Sequence, residues 1–122
     1  MIVGIGTDLI EIDRIVKACE KDAFLNKIFT EKERKLAILD KNKLAGNFAV
    51  KEAVVKMFGT GFHGIKPIEV EVLRDELGKP FVNLHGRAKE QAGLLGITSI
   101  FVSITNVKEY ASAVAVGERL PV

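Results

Sequence analysis

The first eight residues alternate. Val3 and Ile5 take one side, and Gly4, Gly6 and Asp8 take the other, the period of a half-buried strand. Two glycines leave the backbone bare beside a carboxylate, so a neighbour can approach closely there. From Glu11 the period lengthens. Ile12, Ile15, Val16 and Cys19 recur at helical spacing and predict an amphipathic helix over 11–21. Thr30 and Glu33 form a capping-box pattern that opens a second helix, running to about Leu39. The longest helical stretch covers 42–58 and is stopped by Gly59-Thr60-Gly61 in a left-handed cap. The second half reads as extended over 68–73 and 81–84 with a turn at 75–80. A helix over 86–95 follows, then a final hairpin of 100–105 and 110–116. This order predicts an α+β fold, an antiparallel sheet packed with helices, in a single domain over 1–122.

The last strand, 110–116, carries no charge on either face, which predicts burial on both sides. The second cover is either a helix of the same chain or another subunit.

Composition narrows the class. Apolar residues make up 48% and charged residues 28% of the 122, an ordinary globular balance. A net charge of +2 is too mild to support nucleic-acid binding. The one cysteine, Cys19, excludes an intramolecular disulfide and suits a reducing compartment. No apolar run is long enough to span a membrane, and acidic residues stand where a signal peptide needs its apolar stretch. A soluble cytoplasmic protein is expected.

Chemistry concentrates on the long helix. Glu52 and Lys56 lie four apart on one face, set in an apolar run. They form either a surface ion pair or part of a site, because charges in such surroundings need partners. Asp8 and Glu52, from separate elements, are a suitable Mg²⁺ pair, since this ion takes one or two carboxylates plus substrate phosphate. Lys56 would then offset phosphate charge. Gly59-Thr60-Gly61 follows a helix and so is no dinucleotide fingerprint; it is either a helix stop or a phosphate nest. Arg14, Lys17 and Lys21 fall within an arc of about 60° and make a basic ridge. Such a ridge is either a solvated face or a dock for an acidic partner. His63, His85 and Cys19 lack zinc spacing, and no nucleophile elbow or P-loop is present.

The segments Gly4-Ile-Gly6-Thr-Asp8, Lys51-Glu52-Ala53-Val-Val-Lys56, Gly59-Thr60-Gly61, Gly78-Lys79-Pro80 and Val102-Ser103-Ile104-Thr105 occur in an order that closely resembles the holo-[acyl-carrier-protein] synthases. These are the small bacterial 4′-phosphopantetheinyl transferases. The resemblance implies transfer of phosphopantetheine from coenzyme A to a serine of apo-acyl carrier protein, for fatty acid biosynthesis. It implies Mg²⁺ on Asp8 and Glu52, Lys56 on phosphate, and a coenzyme A site lined by Gly59, Thr60, Gly61, Pro80 and Ser103. Arg14, Lys17 and Lys21 would face the carrier protein, and the chain would form homotrimers with sites between subunits. Two positions depart from the family pattern. Asn47 stands where many members have Arg, and Asn106 where many have His. A contact to the phosphate or adenine end is in question at the first, and any acid–base role is lost at the second.

Overall fold

The computed structural model describes residues 1–121. Strand β1 (Ile2–Glu11) leads into three short helices, α1 (Ile12–Ala18), α2 (Asp22–Ile28) and α3 (Glu31–Leu36), and then the long α4 (Asn42–Phe58). A 3₁₀ turn (Pro67–Glu69) precedes β2 (Val70–Arg74) and β3 (Pro80–Leu84); α5 (Gly86–Leu94), β4 (Ser99–Asn106) and β5 (Tyr110–Glu118) complete the fold. Two antiparallel sheets result, a three-stranded one in the order β1-β5-β4 and the hairpin β2-β3. The α+β expectation holds.

The capping box at Thr30 is formed in both directions, and Gly59 ends α4 in the left-handed region at φ 81°. Elsewhere the elements shift. The predicted helix over 11–21 is shorter and begins at Ile12, because Ile10 and Glu11 still pair with Ala111 and Tyr110 and prolong β1. Helix α2 was not foreseen. Its seven residues have no side-chain cap, and Ile28, with Phe24 and Leu25, packs against Phe29 and Leu44. Tertiary contact makes this helix, as is usual for segments too short to be stable alone.

Strand β1 packs the opposite way from its apolar pattern. Gly6 is buried, while Ile5 and Leu9 are each 65% exposed. The glycine face lies under α4, where a Cβ on Gly6 would run into the Ala53 carbonyl and one on Gly4 into the Met57 carbonyl. Ala111, Ala113 and Ala115 of β5 continue this small-residue surface. Close approach of helix to sheet is what those residues permit. On the outer face, Val114 and Val116 of β5 are half-buried and flanked by exposed Ile5, Leu9 and Phe101. The uncharged last strand is therefore covered on one side by α4, and its other side faces outward within this chain.

A buried polar brace fixes α4 from behind. Lys51 is fully buried, and its Nζ donates to Glu33 Oε1 (2.8 Å) and to the carbonyls of Pro67 (3.0 Å) and Val70 (2.6 Å). Glu33 also accepts from the Thr30 backbone N–H and from Asn47 Nδ2. Burial pushes the Glu33 carboxyl up and the Lys51 ammonium down, and their mutual attraction opposes both. The brace joins α3, α4 and β2 at one point.

Candidate active site

Asp8 projects from β1 beside the second half of α4. Its Oδ1 accepts from Lys56 Nζ at 3.1 Å, and the same ammonium donates to the Thr7 carbonyl at 3.2 Å. Lys56 thus pairs with Asp8 and not with Glu52, so the i, i+4 surface ion pair is not formed. Asp8 Oδ2 is buried and has no hydrogen-bond partner. Such an orphaned oxygen is costly unless a ligand completes it.

Glu52 lines the same cleft as Asp8. Burial raises the Glu52 pKa above the ordinary carboxylate value, the charge of Asp8 raises it further, and Lys56 draws it back. Two carboxylates share one cleft, with a single cation paired to Asp8, an arrangement that a divalent ion would relieve. The cleft measures about 720 Å³, and Glu11, Arg14, Phe24 and Tyr110 help to wall it. Glu11 and Tyr110 were not picked out from the sequence. They are cross-strand partners at the end of β1 and β5, and only the register reveals that they share the rim.

The raised Glu52 fixes the sign of a stability effect. A carboxyl whose folded pKa exceeds its unfolded value weakens the fold once pH rises above it. In metal-free protein, Glu52→Gln therefore raises the melting temperature at pH 7 by a few degrees. A relief of under about 1 kcal/mol in a domain of this size gives that shift, after allowance for solvent screening. The gain fades on acidification, as Glu52 itself becomes neutral. Calorimetric scans at pH 7 and pH 5 check both statements.

The other expected positions divide. Arg14, Lys17 and Lys21 do cluster, bordering with Phe24 a shallow hollow that adjoins the cleft, although Lys21 caps α2 and is not on α1. The glycine turn is occupied with its own helix. Gly59 N–H donates to Lys56 O, those of Thr60 and Gly61 donate to Val55 O, and the Thr60 hydroxyl donates to Gly61 O. These N–H groups cap α4 and are not free to form a phosphate nest. Pro80 opens β3 opposite Arg74, and Ser103 stands on the outward sheet face beside Val114. Neither borders the Asp8–Glu52 cleft within one chain.

Asn47 is fully buried, donating to Glu33 Oε2 (3.0 Å) and the Val72 carbonyl (2.9 Å), and so serves the brace. Asn106 is exposed at the end of β4. Cys19 is a half-buried thiol pushed up to about 11 by burial, which suits a structural role and not a nucleophile. Among the described residues no group of three or more His, Cys, Asp or Glu side chains is placed to hold a metal. A two-carboxylate magnesium site needs no such group.

Residues 4–115 match the model of the 4′-phosphopantetheinyl transferase superfamily. A holo-[acyl-carrier-protein] synthase of Lachnoclostridium phytofermentans is 63% identical over 118 residues, covering 97% of each chain. The chain belongs to the holo-[acyl-carrier-protein] synthase family. The fold agrees with solved members. The synthase of Neisseria meningitidis superimposes with a TM-score of 0.87 at 30% identity, over 98% of this chain and 100% of that one. The Helicobacter pylori synthase, solved in complex with coenzyme A, gives 0.83 at 30% identity over 93% and 99%. Membership of this synthase family makes the chain a transferase. Among the described residues no helix is long and apolar enough to cross a membrane.

Proposed function

We propose that this holo-[acyl-carrier-protein] synthase moves the 4′-phosphopantetheine group from coenzyme A to a serine of apo-acyl carrier protein, with Mg²⁺ as cofactor. Adenosine 3′,5′-bisphosphate is released, and the reaction serves fatty acid biosynthesis in the cytoplasm. The observation that carries the reading is the pair Asp8 and Glu52 at one cleft, with Asp8 Oδ2 unpartnered and Lys56 alongside.

Asp8 and Glu52 are the groups that hold Mg²⁺; their hard oxygens and mutual repulsion fit it. Held there, the ion would supply polarisation of the attacked phosphate and screening of the charge on the leaving group. Lys56, half exposed, turns its ammonium to the pyrophosphate. The serine oxygen bonds to phosphorus, the phosphorus–oxygen bond to the bisphosphate breaks, and the serine proton passes to a water oriented by Glu52. Gly59, Thr60, Gly61, Pro80 and Ser103 line the path of coenzyme A. Arg14, Lys17 and Lys21 receive the acidic carrier protein, with charge complementarity mainly speeding encounter.

The chain works as a homotrimer with sites between subunits. The outward sheet face supports this, since Ile5, Leu9 and Phe101 form an apolar surface of the kind that marks contact sites. So does the distribution of Pro80 and Ser103, neither of which borders the Asp8–Glu52 cleft of its own chain. The Helicobacter pylori relative solved with coenzyme A supports the choice of donor.

The test is to incubate the pure protein with apo-acyl carrier protein, coenzyme A and Mg²⁺ and to weigh the carrier by mass spectrometry. A gain of one phosphopantetheine, lost with EDTA, is expected. No gain while coenzyme A still binds overturns the catalytic reading.

A further inference from the structure

A second cavity lies behind the active cleft. Helices α1 and α2 form part of the wall between the two. Ile15, Ala18 and Phe24 line the cleft, whereas their chain neighbours Val16, Cys19 and Leu25 turn to the other side. There, with Ala37 after α3 and Leu44 of α4, they line a space of about 230 Å³. It falls at a seam between two small hydrophobic clusters, one around Ile12, Ile15 and Ala45 and one around Ile28, Phe29 and Leu44. Cys19 packs against both. Burial pushes the Cys19 thiol up to about 11 and keeps it neutral, so it belongs to the apolar lining.

The rim of this cavity is charged. Arg34 Nη1 donates to the Phe29 carbonyl at 2.8 Å, which fixes the half-buried guanidinium. Among the described residues its Nε and Nη2 have no acceptor. Lys41 stands on the same rim, exposed, and neither cation has an ion-pair partner among the described residues. Glu20 also reaches the rim and pairs with neither of them, so two cations outweigh one carboxylate over an apolar floor. Ile38, 79% exposed, extends the apolar surface at the lip.

We infer that this cavity binds a medium-chain fatty carboxylate, with the chain on Val16, Leu25 and Leu44 and the head group on Arg34 and Lys41. The volume is below the roughly 300–1,000 Å³ of drug-sized sites, which limits the occupant to one short chain. The head is a free carboxylate and not an ester or thioester, because unpaired cations at an apolar rim are met by a charge. A guanidinium takes a carboxylate through paired N–H donors. Helices α1 and α2 have seven residues each and no side-chain cap, so their positions depend on what packs against them. An occupant therefore props from behind the two helices that carry Arg14, Lys17 and Phe24.

Calorimetric titration of the pure protein with sodium octanoate tests the site. A Kd on the order of 0.1–1 mM is expected for a ligand of about ten non-hydrogen atoms. Each methylene added from butanoate to octanoate tightens binding about fourfold. Arg34→Gln weakens octanoate about tenfold and leaves octan-1-ol unchanged, whereas a merely structural loss weakens both. Should Arg34→Gln not fold, Lys41→Gln carries the same comparison at an exposed side chain. Octanoate also slows alkylation of Cys19, the one cysteine, by N-ethylmaleimide. Because Cys19 does not line the cleft, that protection places the ligand in this cavity. No binding at millimolar octanoate, an affinity indifferent to chain length, or an unprotected Cys19 overturns the site. Equal losses for octanoate and octan-1-ol overturn the carboxylate assignment. None of these outcomes depends on phosphopantetheine transfer, so this inference and the transferase reading fail separately.

Discussion

Asp8→Ala lowers kcat/KM by about a thousandfold, roughly 4 kcal/mol of transition-state stabilisation, and leaves the protein folded. The size follows from what Asp8 does at once. Its Oδ2 is the unpartnered oxygen that a divalent ion would complete under the proposed function, and its Oδ1 holds Lys56 at 3.1 Å in the cleft. Under the proposed function its removal would take away one of two carboxylates offered to the ion and free the ammonium, so charge stabilisation would be lost from both sides. The fold survives because the β1–α4 contact rests on Gly4 and Gly6, not on the carboxylate. The measurement is turnover across a magnesium titration, with circular dichroism as the check on folding. A requirement for far higher magnesium is expected. Normal turnover at ordinary magnesium would exclude Asp8 from the site.

Lys51→Met is expected to destabilise the protein by about 3–5 kcal/mol, much of the stability available to a domain of this size. Lys51 and Glu33 are both fully buried, 2.8 Å apart. Removing the cation leaves a carboxyl in the interior with only the Thr30 N–H and Asn47 to receive it, and leaves the Pro67 and Val70 carbonyls without their donor. Adding Glu33→Gln removes the stranded charge and keeps an acceptor for the Thr30 cap, so the double variant recovers a good part of the loss. Urea unfolding of the two single variants and the double yields the coupling directly. If Lys51→Met proves nearly neutral, the brace does not secure α4.

These two variants separate what the sequence states from what it conceals. Lys51 and Glu52 are adjacent charges in the same apolar run, and the sequence marks both as costly without saying which is inside. The answer depends on the rotation of α4, which is apolar on most of its circumference and so has no single face for periodicity to select. Packing against β1 and β5 decides it. The small residues Gly6, Ala111 and Ala113 draw the helix in along one line, Lys51 then points to Glu33, and Glu52 to Asp8.

Helix α4 with its glycine stop, the capping box at Thr30 and the hairpin of β4 and β5 were legible in the sequence, because each is set by local spacing or backbone chemistry. The motif order also carried the family. Contacts between distant segments were not legible: which face of β1 is inside, the helix α2 that exists only against Phe29 and Leu44, the pairing of Lys56 with Asp8, and the inward turn of Asn47. Local sequence fixes backbone preference over a few residues, whereas partner choice for a charge or a face is settled by burial, and burial is a property of the assembled chain.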